Sequence, residues 1–195
     1  MAEASHEAVF ADQHASVIGS VLETAAALND SVSEHLALAA LDSLLHRTYA
    51  NGWGVRHAMV GSVQGLLQDQ VQVAAACLAA FEASAKGSYR DVAVDIVMVL
   101  DRDFADPVGG YFDASQPDAA AAVMADRTKQ VWDDLLPGAN AWAARTLITL
   151  AAATGELRYR RRAEAALEAF AGGFSGVGMR AATYLETART ALVRR

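Results

Sequence analysis

The stretch Asp69-Gln-Val-Gln-Val73-Ala-Ala-Ala76-Cys77-Leu-Ala-Ala80-Phe81-Glu-Ala-Ser-Ala-Lys86-Gly-Ser88-Tyr-Arg-Asp-Val92-Ala-Val-Asp-Ile96-Val-Met-Val99-Leu100 decides the fold. Val73, Ala76, Cys77, Ala80 and Phe81 recur at helical spacing and make one apolar face. Lys86-Gly87-Ser88 interrupts the pattern, and Val92, Ile96, Val99 and Leu100 resume it as far as about Phe104. Two helices joined by so short a break must lie antiparallel and side by side.

The same layout repeats on either side. Upstream, Ile18, Val21, Leu22, Ala25 and Leu28 form a face from about Ala11, and Asn29-Asp30 breaks it. Ser31 with Glu34 three positions later makes a capping-box signature for a second helix, which carries Leu38, Leu41, Leu44 and Leu45. Downstream, a helix from about Asn140 carries Leu147, Ile148 and Ala151 and breaks at Thr154-Gly155-Glu156. Its partner runs through Tyr159, Ala163, Ala166, Leu167 and Phe170, and a closing helix presents Tyr184, Leu185, Ala188 and Leu192. The expected architecture is all-α: one helical domain over residues 1–195, with consecutive antiparallel hairpins at about 11–49, 69–104 and 140–171 and a last helix at about 178–193.

Composition supports this reading and excludes several functions. The chain has 195 residues, 53% hydrophobic and rich in alanine, with only 3 prolines to interrupt helices. A net charge of −7 argues against nucleic-acid binding, which needs a basic stripe. The local run Arg158, Arg160, Arg161 and Arg162 reads as a solvated helix face. The single cysteine, Cys77, excludes an internal disulfide and a Cys-x-x-Cys pair, and its apolar surroundings read as a buried thiol. No stretch offers the ~20 apolar residues of a membrane span, and the acidic start from Met1 to Glu7 does not read as a signal peptide. A cytoplasmic location with no membrane partner is expected. No metal is expected, since His6 and His14 are too far apart for a one-turn pair. No cofactor is expected either, in the absence of a phosphate loop or nucleotide fingerprint.

The loops alternate in length. Breaks within hairpins are short, whereas those between them are mostly long, from Ala50 to Gln68 and from Ala105 to Ala139, with Ala171 to Val177 shorter. In an up-down stack both long loops emerge at one end, beside the N-termini of the helices that begin near His14, Asp69 and Asn140. Long loops in a compact helical domain are commonly functional. Helix N-termini aimed at that face add N–H donors suited to an anionic or hydroxyl-rich ligand.

These loops combine aromatic, acidic, basic and imidazole side chains, a mixture suited to carbohydrate or small polar ligands. Asp69, Asp113 and Asp133 are candidate catalytic carboxylates, with His57 as an acid or base in support. Arg127 and Lys129 are candidate ligand-binding cations, and Trp53 and Trp132 are candidate stacking rings. Each has a structural alternative. Asp69 and Asn140 also suit helix caps, worth about 1 kcal/mol each. Trp53 between two glycines also suits a loop anchor, and Tyr111 with Phe112 suits a plug closing the loop onto the core.

Several motifs resemble the C-terminal helical region of the spermatogenesis-associated, thioredoxin-domain-containing protein family, over about Gly65 to Gly172. Leu67-Gln-Asp69 matches a helix-opening Leu-x-Asp, and Gly109-Gly-Tyr111-Phe-Asp113 matches Gly-Gly-Phe-Phe-Asp. Arg127-Thr-Lys129, Trp132-Asp133-Asp134 and Pro137-Gly-Ala-Asn140 stand for Arg-Pro-Lys, Tyr-Asp-Gly and Pro-Ser-Gly-Asn. The tail from Thr154-Gly-Glu-Leu-Arg-Tyr159 to Ala169-Phe170-Ala171 matches the closing helix pair, and Gln13-His14 stands where the family has Trp-Asn. The resemblance implies roughly the last half of a six-hairpin glycosidase-like (α/α) toroid, without the family's thioredoxin-like domain. It adds His14, Tyr111 and Asn140 to the candidate ligand-binding residues.

Two functions follow as expectations. One is a non-catalytic partial toroid that self-associates or binds a partner completing the ring, with a polar or carbohydrate pocket on the long-loop face. Three hairpins cannot close a six-hairpin ring, and the first and last helices would expose apolar faces. The other is a carbohydrate-processing enzyme, a glycoside hydrolase or sugar epimerase, using the loop-face carboxylates.

Overall fold

A computed structural model describes residues 10–58, 65–115, 127–173 and 176–193; His6 and most of the alanine-rich stretch after Asp113 lie outside them. The helices are α1 (Ala11–Leu28), α2 (Ser31–Thr48), α3 (Leu67–Ser84), α4 (Gly87–Asp103), α5 (Ala139–Thr154), α6 (Leu157–Glu168) and α7 (Ala182–Val193). A 3-10 turn, Gly178–Ala181, leads into α7. None of the described helices is long and apolar enough to cross a membrane.

α3 is the centre of the molecule. It packs on α1 to one side, on α5 to the other and on its hairpin partner α4. A helix contacted on three sides must be apolar nearly all round, which the run from Val71 to Ala80 provides. α1, α3, α5 and α7 thus form an inner row, each packed on the next. α2, α4 and α6 form an outer row behind them, each packed on its own hairpin partner. Small residues let the inner helices approach closely: Gly19 of α1 lies against Ala76 of α3. Cys77 is fully buried in this layer, and burial pushes its thiol pKa up, as an inert core thiol requires. The arginine run on α6 is engaged on the surface: Arg158 with Glu156, Arg160 with Glu164 and Arg162 with Asp101.

Both long loops gather over the N-termini of the inner helices, and their backbones cap those helices. The first N–H of α1 donates to the carbonyl of His57 (2.8 Å), and that of α3 to the carbonyl of Asp113 (2.9 Å). The N–H of Asn140 in α5 donates to the carbonyl of Gln130 (3.0 Å). None of these three helices has a side-chain N-cap. One of the donors at each of these helix starts is therefore taken by a neighbouring loop, which satisfies an otherwise orphaned group. Asp69 and Asn140 lie inside the first turns of α3 and α5 and are not their caps.

The first loop opens with a two-residue antiparallel hairpin, β1 (Tyr49–Ala50) and β2 (Gly54–Val55). Gln70 of α3 acts as a substitute strand for it: Oε1 accepts from the Val55 N–H and Nε2 donates to the Val55 carbonyl, both at 2.8 Å. Asp95 of α4 accepts from the Tyr49 hydroxyl and the Gly52 N–H, both at 2.9 Å. These bonds fix the hairpin on the core, while Trp53 at its tip is 77% exposed and anchors nothing.

Candidate functional site

The carboxylates, imidazole and aromatics singled out in the sequence fall into two groups at the loop end. The first is His57 and Asp69, joined by Asp12, which the sequence did not single out. His57 Nδ1 lies 3.0 and 3.1 Å from the two carboxylate oxygens of Asp69, and the imidazole stacks on Phe10 at 4.7 Å. The Asp12 N–H donates to the same carboxylate (3.3 Å). Asp69 is completely buried, and burial raises its pKa to about 6; the contact with His57 opposes this rise, and the Asp12 charge adds to it. Ligand atoms of Asp12, His57 and Asp69 lie within 4.8 Å of one another, a convergence that linear spacing does not reveal. Asp69 is already hydrogen-bonded at both oxygens, so the arrangement reads as a staple holding the first loop and α1 to α3.

The second group frames the second loop. Asp113 accepts from the Gln130 N–H (2.6 Å) and the Thr128 hydroxyl (2.7 Å). The Asn140 side chain, buried in α5, accepts from the Tyr111 N–H (2.7 Å) and donates to the carbonyls of Tyr111 (2.9 Å) and Gln130 (3.1 Å). Tyr111 is buried, and its ring plugs the loop onto the core. Arg127 stacks over Phe112 at 4.0 Å and donates to the carbonyls of Asp103 and Ala114. Lys129 pairs with Asp106 at 2.5 Å and donates to the Gly109 carbonyl.

Asp133 binds the Gly138 N–H and, across the fold, the Thr183 N–H of α7, both at 2.9 Å. The Trp132 ring sits half-buried, 6.3 Å from that of Tyr184. His14 is exposed, with Nδ1 3.1 Å from the carbonyl of Phe10 in its own first turn. The structure thus brings Asp69 and His57 together, whereas Asp113 and Asp133 are each occupied at both oxygens by loop and helix-end donors.

A cavity of about 320 Å³ opens elsewhere, on the concave side of the inner row, where α1, α3, α5 and α7 meet and no outer helix contributes. Its wall carries Glu23, Glu82, Trp142, Arg145, Glu186 and Thr187. The Arg145 guanidinium lies over the Trp142 ring at 4.9 Å and 3.9 Å from Glu186. Trp142 Nε1 and Thr187 Oγ1 are buried without any hydrogen-bond partner, and Thr187 is only 2% exposed. Such groups are rare and call for an explanation. The sequence held a signal for this wall: Trp142, Arg145, Thr146 and Thr149 form a polar stripe at helical spacing on the otherwise apolar α5.

No protein-family model matches the chain, and no curated protein matches it. Solved structures do. The family 76 glycoside hydrolase α-mannanase of Bacteroides thetaiotaomicron superposes with a TM-score of 0.75 at 14% identity, over 96% of this chain and 53% of that one. The α-1,6-mannanase of Salegentibacter sp. superposes at 0.74 with 15% identity, over 95% and 57%. The cellobiose 2-epimerase of Spirochaeta thermophila superposes at 0.68 with 16% identity, over 85% and 43%. The fold is a partial (α/α) toroid. The chain spans about half the length of the mannanases it matches, and likeness at this identity establishes the six-hairpin glycosidase-like fold alone.

Proposed function

We propose that this chain is a non-catalytic partial toroid that binds a hydroxyl-rich, carbohydrate-class ligand in the groove on its concave side. The observation that carries this reading is the pair of buried, partnerless groups on the groove wall, Trp142 Nε1 and Thr187 Oγ1. A buried donor left unpaired costs about 1–3 kcal/mol, and a ligand hydroxyl would recover it once a small side-chain rotation of Trp142 or Thr187 brings the atom to the groove surface. The cavity volume suits a mono- or disaccharide. The Trp142 ring and the surrounding carboxylates and threonines supply the stacking and hydrogen-bonding groups that sugars use. Support also comes from the matched structures, two mannanases and a cellobiose epimerase, which process carbohydrates. The ordered motifs shared with the thioredoxin-domain-containing family support a common origin with its helical region.

Calorimetric titration with glucose, mannose, cellobiose and α-1,6-mannotriose tests this. At least one should bind with a dissociation constant on the order of 1 mM or tighter, about −4 kcal/mol, and Trp142→Ala should abolish the heat. Absence of heat from every sugar overturns the reading. Turnover of a bound sugar would instead favour the enzyme alternative.

A second reading, association with another copy, is favoured by the two ends of the helix row. Val17 and Leu28 of α1 are 64% and 72% exposed, and Leu185 and Leu192 of α7 are 52% and 63% exposed. Two copies related by a two-fold axis would set each α1 edge against the other's α7 edge and close the ring. Groove binding and edge pairing are compatible, because the groove lies on the concave side.

A further inference from the structure

Building on the groove reading, we infer that the ligand taken there is an amino sugar or another hydroxylated molecule bearing a protonated amine. Each inner helix contributes one charged side chain to the groove: Glu23 from α1, Glu82 from α3, Arg145 from α5 and Glu186 from α7. Three carboxylates thus face one guanidinium, and that guanidinium is already committed to Trp142 and Glu186. Among the described residues no cation pairs with Glu23 or Glu82. Carboxylates of one sign gathered around a groove raise the local concentration of cations, even where, as at Glu23 and Glu82, they are exposed.

Charge alone would accept any cation, so the neutral groups decide the rest. Trp142 Nε1 can only donate, and it needs a ligand acceptor. Thr187 Oγ1, buried in the wall, can donate or accept. A ligand satisfying the whole wall therefore presents an ammonium to Glu23 and Glu82 and hydroxyl oxygens to Trp142 and Thr187. A metal ion alone would leave the indole N–H unpaired, and a neutral sugar alone would leave the carboxylates uncompensated.

Titration of paired ligands, below the pKa of the amine, tests this directly. Glucosamine and mannosamine should each bind about tenfold tighter than glucose and mannose, as charge-assisted hydrogen bonds to carboxylates allow. N-acetylglucosamine, which lacks the charge, should lose the advantage. The preference should shrink with added salt and fall to within about twofold in the Glu23→Gln, Glu82→Gln double variant, whose substitutions lie at exposed positions. Equal affinity for amine and parent sugar overturns this inference while leaving the carbohydrate reading intact. A preference that survives the double variant also overturns it. Failure of every sugar, charged or neutral, overturns both.

Discussion

Asp69 combines the chemistry of a candidate acid with hydrogen bonds that tie the first loop and α1 to α3. Its carboxyl group is out of solvent, bonded to His57 and to the first turn of α1, with burial raising its pKa from 3.8 to about 6. Below 3.8 the group is protonated in folded and unfolded chains alike. Between that value and about 6 the unfolded chain releases the proton while the folded chain keeps it, so stability falls as pH rises through this window. The full effect is on the order of 3 kcal/mol. Urea unfolding of the natural chain and of Asp69→Asn at the two ends of the window separates this group from the other carboxylates. The natural chain should gain on the variant at the acidic end. An offset independent of pH would show that the carboxyl is not shifted.

Asp133 belongs to the scale of the element. Its two oxygens hold the Gly138 N–H ahead of α5 and the Thr183 N–H at the start of α7. Asp133→Ala should lower stability by about 1–2 kcal/mol, the range for a lost cap, and speed amide exchange at Thr183 while α3 stays protected. Unchanged exchange in α7 would mean that Asp133 does not hold this helix.

How far the elements were legible follows from where their bonds go. α1 starts at Ala11 and α4 ends at Asp103, close to the limits set by apolar spacing, because spacing reports the buried face directly. The cap of α2 is Asp30 rather than Ser31: its carboxylate accepts from the Val32 and Ser33 N–H groups. α3 starts at Leu67 because a carbonyl from the next loop, Asp113, takes its first N–H. That partner is distant in sequence, and so are the ones that occupy Asp113, Asn140 and Asp133. Their residue types were legible, but their roles were not, since a carboxylate that caps and one that catalyses look alike until the partners are placed. The short hairpin at Tyr49 to Val55 leaves no signal in the sequence, because a two-residue strand has no period.

At the scale of the whole molecule, alternating loop lengths placed both long loops at one end, and the capping bonds over α1, α3 and α5 lie there. The loop-face residues Asn140, Asp113 and Arg127 are engaged by hydrogen bonds and a ring contact within the described part of the loops, and the proposed site lies instead in the groove lined by the inner row. Pairing of ring edges makes its own prediction. Sedimentation velocity across the micromolar range should reveal a two-copy species, and Val17→Glu with Leu28→Glu should return it to one copy, since both positions are exposed and outside the core. A natural chain that sediments as a single copy throughout would end that reading.

Occupation of the groove is tested most directly by the indole N–H resonances of the three tryptophans, assigned by replacing each with phenylalanine. On titration with glucosamine, the Trp142 signal should shift as its unpaired N–H gains an acceptor, while exposed Trp53 on the distant hairpin stays in place. A Trp142 resonance that does not move under saturating sugar, or moves no more than that of Trp53, would contradict ligand binding on the concave side.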